Sequence, residues 1–120
     1  FMAHKLKKLL KKWQKRCLLQ RWNITIMSQP EEDWDKNGLC VIVPGSERAS
    51  VLVSKYPESD MGIEHIVLHE LTHLMLVPLD EGKDTWKPAL DESQRELFDR
   101  QFTLAMEKVV DHVSRALLNP

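Results

Sequence analysis

The segment HIVLHELTHLML, residues 65–76, constrains the fold of this chain more than any other, because it requires an apolar helix that also carries two histidines and a glutamate. His69 and His73 are four positions apart, about 400° of helical rotation, so both imidazoles project from one side. Glu70 lies about 100° from His69 around the axis. The surrounding residues are largely apolar, so the polar groups would be partly buried and would need partners. The segment predicts a packed helix with a polar cluster along one side.

The composition fits one small domain. Of the 120 residues, 42% are hydrophobic and 29% are charged, which is enough for a single core. No stretch approaches the roughly 18 uninterrupted apolar residues of a membrane span, and the first residues are charged and amphipathic, unlike a signal peptide. We therefore expect a cytoplasmic protein. Cys17 and Cys40 lack CxxC spacing, which argues against a disulfide framework or a cysteine zinc site.

Periodicity in the first half of the chain predicts one helix followed by three strands. Residues 1–20 are rich in lysine and form a basic amphipathic helix with one apolar stripe. That stripe consists of Leu6, Leu9, Leu10, Trp13 and Cys17. β-Branched residues in near-alternation predict short strands at 22–27, 38–43 and 49–56. The connections between them favour an antiparallel meander, and hence a mostly antiparallel sheet.

The second half of the chain reads as two helices. A cap at residues 59–60 begins the helix that carries the histidines, and Pro78 marks its end. Residues 78–88 are expected to be a polar loop. Residues 91–94 match a capping box, which begins one long last helix with a candidate break near Asp99. The expected architecture is a single α+β domain over residues 1–120.

The two histidines on one helical face predict a metal site. Neutral imidazoles suit zinc, and a site of two His and one carboxylate leaves a fourth position for water, whose pKa zinc lowers to about 7. Glu70 lies where a carboxylate can take a proton from that water. His65, one turn earlier, drifts away around the axis and is expected to be a rim or packing residue. The predicted chemistry is peptide-bond hydrolysis with one Zn2+ per chain. The alternative is a helix whose histidines only hydrogen-bond to the last helix.

The third ligand must come from elsewhere, and the last helix offers the best candidate. Glu107 borders its apolar face, and Asp111 follows one turn later on the same side. Glu107 can bind the ion while Asp111 accepts the free ring N–H of a ligating histidine and fixes its tautomer. The alternatives are Glu96 or Glu92, which lie where acids complement a helix dipole, then the loop acids and His112.

The chain has a basic end and an acidic body, although its formal net charge is only -1. Residues 1–30 carry eight Lys or Arg and no acid, whereas residues 31–120 carry nine against eighteen Asp and Glu. Such asymmetry can mark contact with nucleic acid or an anionic membrane, or it can be the solvated side of a docked helix. Because residues 1–30 lack the aromatic interleaving and signatures of nucleic-acid modules, the sequence favours the solvated helix and argues against a nucleic-acid partner.

Two motifs together resemble a known family. HELTH at 69–73 followed by EKVVD at 107–111 resembles the gluzincin metallopeptidases. The order of VLHELTHLMLVPLDE and AMEKVVDHVSRALL resembles more closely the very small phage-encoded proteins of metallopeptidase type and the minigluzincins. The resemblance covers roughly residues 49–118, which would form the metal-site core of a zincin-like domain. If the protein is phage-encoded, the resemblance implies that it is located in the host cytoplasm.

The resemblance also implies roles. Zinc would be bound by His69, His73 and Glu107. Glu70 would be the general base, and Asp111 would support a ligating histidine. The strand within 49–56 would run along the cleft and pair with an extended peptide or protein substrate, a mode of recognition by strand addition.

One departure from the family concerns the side chain that stabilises the oxyanion. Larger gluzincins carry a further C-terminal subdomain with a Tyr or His that stabilises the oxyanion, and this sequence has no such segment. Stabilisation of the oxyanion is therefore expected from His112, from Tyr56 or from the metal alone. Two alternatives stay open: a latent peptidase whose cleft is covered by the first helix or by residues 78–88, and a non-catalytic domain whose basic helix binds nucleic acid, membrane or protein.

Overall fold

The computed structural model describes residues 2–31, 34–57 and 62–119. The elements follow in the order α1 (Met2–Arg16), β1 (Asn23–Gln29), β2 (Gly38–Ile42), β3 (Arg48–Ser54), α2 (Gly62–Met75), α3 (Val77–Trp86), a short 3-10 turn (Lys87–Ala89) and α4 (Glu92–Leu118). The predicted α+β class is confirmed, with a first helix, a three-stranded sheet, a histidine-bearing helix and a long last helix. The predicted cap at residues 59–60 lies outside the described residues.

The sheet is mixed, and its strand order is β1-β3-β2. β1 runs parallel to β3, whereas β2 is antiparallel to it. The predicted antiparallel meander is therefore wrong, since β1 and β2 do not pair with each other. β3 takes the centre because its inward residues Ala49, Val51 and Val53 are all buried. Alternation along a sequence marks a strand but does not fix its neighbours.

α1 packs by the apolar stripe that its sequence predicts. Leu6, Leu10 and Trp13 are buried, and the rest of the stripe is partly buried against the core. Lys12 Nζ and Trp13 Nε1 both donate to Glu64 Oε2 on α2, at 2.7 and 2.8 Å. The helix ends at Arg16, earlier than residue 20, because Leu18 adopts a left-handed φ of 57° that turns the chain back.

α2 lies at the centre of the domain and contacts α1, β2, β3, α3 and α4. It buries one continuous apolar set, consisting of Ile66, Val67, Leu68, Leu71 and Leu74. Burial from several sides explains why a short helix can hold polar side chains in fixed positions, since each rotamer is limited by packing. The predicted helix with a polar cluster on one side is the one observed.

Two predictions for the second half of the chain are corrected. The expected loop at 78–88 is helix α3 followed by the 3-10 turn. Pro78 stands in the first turn of α3, where a missing N–H is tolerated, so it starts this helix. α4 is continuous through Asp99. Its predicted capping box is confirmed, with Gln94 N donating to Asp91 Oδ1 at 2.9 Å and Asp91 N donating back to Gln94 Oε1 at 3.0 Å. In the described part of the chain, no helix combines the length and apolar character of a membrane span.

Candidate metal centre

Histidines of α2 face acids of α4 in a ladder. Nε2 of His73 lies 3.2 Å from Oε1 of Glu107, and Nε2 of His69 lies 3.6 Å from Oε2 of the same carboxylate. One turn further, Nε2 of His65 lies 3.9 Å from Oδ1 of Asp111. The spacing of four residues on both helices keeps the facing side chains in step. The structure thus brings His69, His73 and Glu107 together.

The geometry of this group fits zinc. One donor atom from each of His69, His73 and Glu107 lies within 4.8 Å of the other two. Two ligands at the usual distances from a tetrahedral zinc ion are separated by about 3.3 to 3.6 Å. The separations of 3.2 Å from His73 to Oε1 and 3.6 Å from His69 to Oε2 are close to this range, although they run to the two different oxygens of the Glu107 carboxylate. Two imidazole nitrogens and one carboxylate also form a donor set that zinc prefers and that leaves one position open.

The alternative third ligands are elsewhere. Within the described residues, the two groups of His, Cys, Asp and Glu with metal-like spacing both lie on the α2–α4 ladder, and neither includes Glu92 or Glu96. Those two acids border a separate surface depression beside Asp91. Asp99 pairs with Lys87 at 2.9 Å. Of the candidates on α4, Glu107 is the one positioned beside both histidines.

The end of the ladder near His65 forms a polar network. Arg115 Nε donates to both carboxylate oxygens of Asp111, at 3.0 and 3.1 Å. The Ser114 hydroxyl donates to the carbonyl oxygen of Asp111 at 3.1 Å, so its Oγ accepts from Nε2–H of His65 at 3.2 Å. Asp111 is also within 4.8 Å of a ring nitrogen of His69, and its predicted hydrogen bond to a ligating histidine stays a prediction. Asp111 is therefore held in place from its own helix.

His65 itself is buried, which agrees with a packing role. Its partner Ser114, fully buried on α4, was not among the candidates that the sequence suggested. A signal existed, because Ser114 follows Asp111 by three positions and Glu107 by seven, which places all three on one side of a helix. Small polar residues in such a stripe indicate a buried hydrogen bond.

Glu70 is buried and lines the same cleft as His69, His73 and Glu107. Burial raises the pKa of Glu70 to about 7, and the negative charge of Glu107 adds to the effect, while Lys36 opposes it. The pKa of His69 is lowered, first by burial and then by its electrostatic interaction with His73, against the opposite influence of Glu107. A lowered pKa keeps His69 neutral, the form that binds a metal.

Gly38 on β2 allows the strand to lie directly against α2. A Cβ at Gly38 would come within 2.8 Å of Ile66 Cγ2 and within 3.2 Å of Glu70 Oε2. The missing side chain therefore lets β2 cover the carboxylate of Glu70 and exclude water from one side of it. The burial that raises the pKa of Glu70 depends on this close approach.

A cleft of about 490 Å³ opens over the candidate site. One wall is β2 with Lys36, and the opposite wall is formed by residues of α3 and α4, including Asp80, Phe102 and Met106. The prediction that the strand at 49–56 runs along the cleft is wrong. β3 is paired on both edges, so it has no free edge for a substrate, whereas β2 is an edge strand and lines the cleft.

The two side chains expected to stabilise the oxyanion lie outside the cleft. Neither His112 nor Tyr56 lines the cleft, and both side chains are exposed. Lys36 does line it, on the side of Glu70 and next to the start of β2. Lysine before a strand has no distinctive sequence signal, so only the folded chain identifies it.

Comparison of the chain with protein-family models, with curated proteins and with solved structures found no match. The chemistry of this site is therefore inferred from its own residues.

Proposed function

We propose that this protein is a zinc-dependent metallopeptidase that hydrolyses peptide bonds. The observation that carries the proposal is the convergence of His69, His73 and Glu107 from two helices, beside a buried Glu70 and at the floor of an open cleft. Zinc would be held by those three side chains. When bound, it supplies a water molecule of lowered pKa and polarises a peptide carbonyl.

Glu70 is the proposed general base. Its carboxylate accepts the proton of the attacking water and returns it to the amine nitrogen that leaves. Burial raises the pKa of Glu70 to about 7 in the metal-free protein, and a bound zinc ion would lower it, which favours the carboxylate form that accepts a proton. Glu70 is adjacent in sequence to His69 but projects about 100° away, so it can act beside the metal group without joining it.

The edge strand β2 is the proposed substrate-binding element. An extended peptide adds to a free edge through main-chain hydrogen bonds, which gives affinity with little sequence preference. A peptide bound to the residues of β2 that line the cleft would lie alongside Glu70. Lys36, at the mouth of the same wall, is the proposed electrophile, because an ammonium group there would stabilise negative charge on the carbonyl oxygen.

Metal analysis and a peptidase assay together test the proposal. Mass spectrometry of the purified protein should find about one zinc per chain, as expected for a single three-ligand site. Zinc-loaded protein should then cleave an unfolded protein substrate, whereas Glu70→Gln should keep its zinc and lose cleavage. A wild-type protein that binds no zinc at neutral pH, or cleavage retained in Glu70→Gln, would contradict the proposal.

A further inference from the structure

Although the sequence lacks the signatures of a nucleic-acid module and argued against such a partner, we propose that the outward face of α1 binds the phosphate backbone of nucleic acid through charge alone. This face, called the lysine face, consists of Lys5, Lys7, Lys8, Lys11 and Lys15, all exposed. At about 100° per residue, these side chains occupy the half of the helix opposite the buried Leu6, Leu10 and Trp13. The apolar stripe thus fixes the orientation of the whole row of cations.

The lysine face has no acidic partner within the described residues. Lys12 is bound by Glu64 at 2.7 Å, Arg16 lies over the ring of Trp13, and Arg21 is 3.4 Å from Glu47. In the part of the chain that the structure describes, no acid lies within ion-pair distance of the five lysines of the face. Among the described residues, acids of the body pair with Lys12 of α1 and with Arg21 beyond its end, and not with the lysine face. Five unneutralised charges on one rigid surface form a site for a polyanion.

The shape of the face fits a nucleic-acid strand. Lys7, Lys11 and Lys15 line a shallow groove of about 470 Å³ together with the amide side chains of Gln14 and Gln20. These three lysines are spaced by one turn and span about 12 Å along the axis. One strand of DNA rises about 3.4 Å per nucleotide, so the row spans about three to four phosphates. Contacts of this kind neutralise charge without reading bases.

Burial of the apolar stripe favours nucleic acid over insertion into a membrane. An amphipathic helix that lies on a bilayer inserts its apolar face among the acyl chains. In α1 that face is already buried in the core, with Leu6 fully buried and Trp13 hydrogen-bonded to Glu64. The exposed surface of α1 that a partner can contact is therefore formed by the lysine side chains. Lysine ammonium groups of this kind make the sequence-independent contacts to phosphates that position a protein on a nucleic acid.

Fluorescence anisotropy with a mixed-sequence oligonucleotide tests the proposal, using single-stranded DNA, duplex DNA and single-stranded RNA. Micromolar binding at about 50 mM salt should weaken steeply towards 200 mM. Lys7→Gln/Lys11→Gln/Lys15→Gln should weaken binding about tenfold or more and reduce the salt slope on duplex DNA by roughly 2.7, since each lost phosphate contact contributes about 0.9. The matched control Arg48→Gln/Lys55→Gln/Arg100→Gln removes the same net charge from exposed positions elsewhere and should change binding by about twofold at most.

Several outcomes would overturn the proposal: no binding at low salt, equal losses in the two triple variants, or an unchanged salt slope in the α1 variant. Binding to phosphatidylserine vesicles but not to oligonucleotides would also overturn it. Circular dichroism shows whether each variant is folded. Glu70→Gln should bind oligonucleotides like the wild type, so failure of the peptidase proposal and failure of this one are distinguishable.

Discussion

The carboxylate of Glu107 lies 3.2 Å from Nε2 of His73, although the two residues belong to different helices. Its second oxygen lies 3.6 Å from Nε2 of His69, so one side chain of α4 faces both histidines of α2. Val110 and Ser114 of α4 are both buried, and Oγ of Ser114 lies 3.2 Å from Nε2 of His65 on α2. The metal group therefore depends on how two helices pack.

Removal of Glu107 should abolish metal binding. We expect Glu107→Ala to lose its zinc in dialysis against a weak chelator, because two imidazoles remain where three ligands are needed. Glu96→Ala is the matched control, since it removes an exposed acid from the same helix, away from the histidines. Zinc content by mass spectrometry checks both variants. Zinc retained in Glu107→Ala but lost in Glu96→Ala would show that the third ligand has been misassigned.

A side chain at Gly38 should destabilise the domain. In Gly38→Ala the new Cβ would meet the branched Ile66 Cγ2 at 2.8 Å, so β2 must shift away from α2. Overpacking of this kind costs about 1 to 3 kcal/mol. Gly82→Ala is the control, because nothing lies within 4 Å of a Cβ there, and alanine within helix α3 should stabilise by about 0.5 to 1 kcal/mol. Urea unfolding would measure the stability of both variants. A Gly38→Ala protein as stable as the wild type would refute the close contact.

The contribution of Glu70 to the stability of the metal-free protein should fall as the pH rises from about 4.5 to about 7. The folded-state pKa of Glu70, about 7, lies above its ordinary value of 4.5, so the unfolded state releases its proton first. Below pH 4.5 the titration of Glu70 does not reduce the free energy of unfolding. Above pH 7 it reduces that free energy by about 3 kcal/mol. Glu70→Gln should remove this dependence. Chemical unfolding with chelator across that pH range provides the measurement, and parallel curves for the two proteins would rule out the effect.

Loss of the Lys36 charge should slow turnover without loss of metal. We expect Lys36→Met to reduce kcat/KM roughly 10- to 100-fold, since removal of one oxyanion donor commonly has an effect of this order or larger. Lys36→Arg, which keeps the positive charge, should retain more of the wild-type kcat/KM than Lys36→Met does. Lys55→Met removes another exposed lysine, which does not line the cleft, and should leave activity unchanged. The kinetics of the three variants are compared at equal zinc content. Full activity of Lys36→Met would exclude the lysine as the electrophile.

The sequence predicted the local structure well where one period dominated. The lysine-rich helix, the histidine-bearing helix and the capping box at Asp91 were predicted because each depends on neighbours within about one turn. The same reasoning failed at residues 78–88, where proline and polar residues indicated a loop. Pro78 is as compatible with the first turn of a helix as with the end of one, and local sequence does not distinguish the two.

What the sequence by itself determined is the content of the site: two histidines on one helical face, Glu70 beside them, and a later helix with acids at matching spacing. What only the tertiary structure decided is which groups meet. The choice of Glu107 over Glu96, the burial of Glu70 under Gly38, the central position of β3 and the placing of Lys36 in the cleft all depend on contacts between distant segments. Periodicity fixes the direction of a side chain relative to its own helix or strand, whereas its partners depend on how the elements pack.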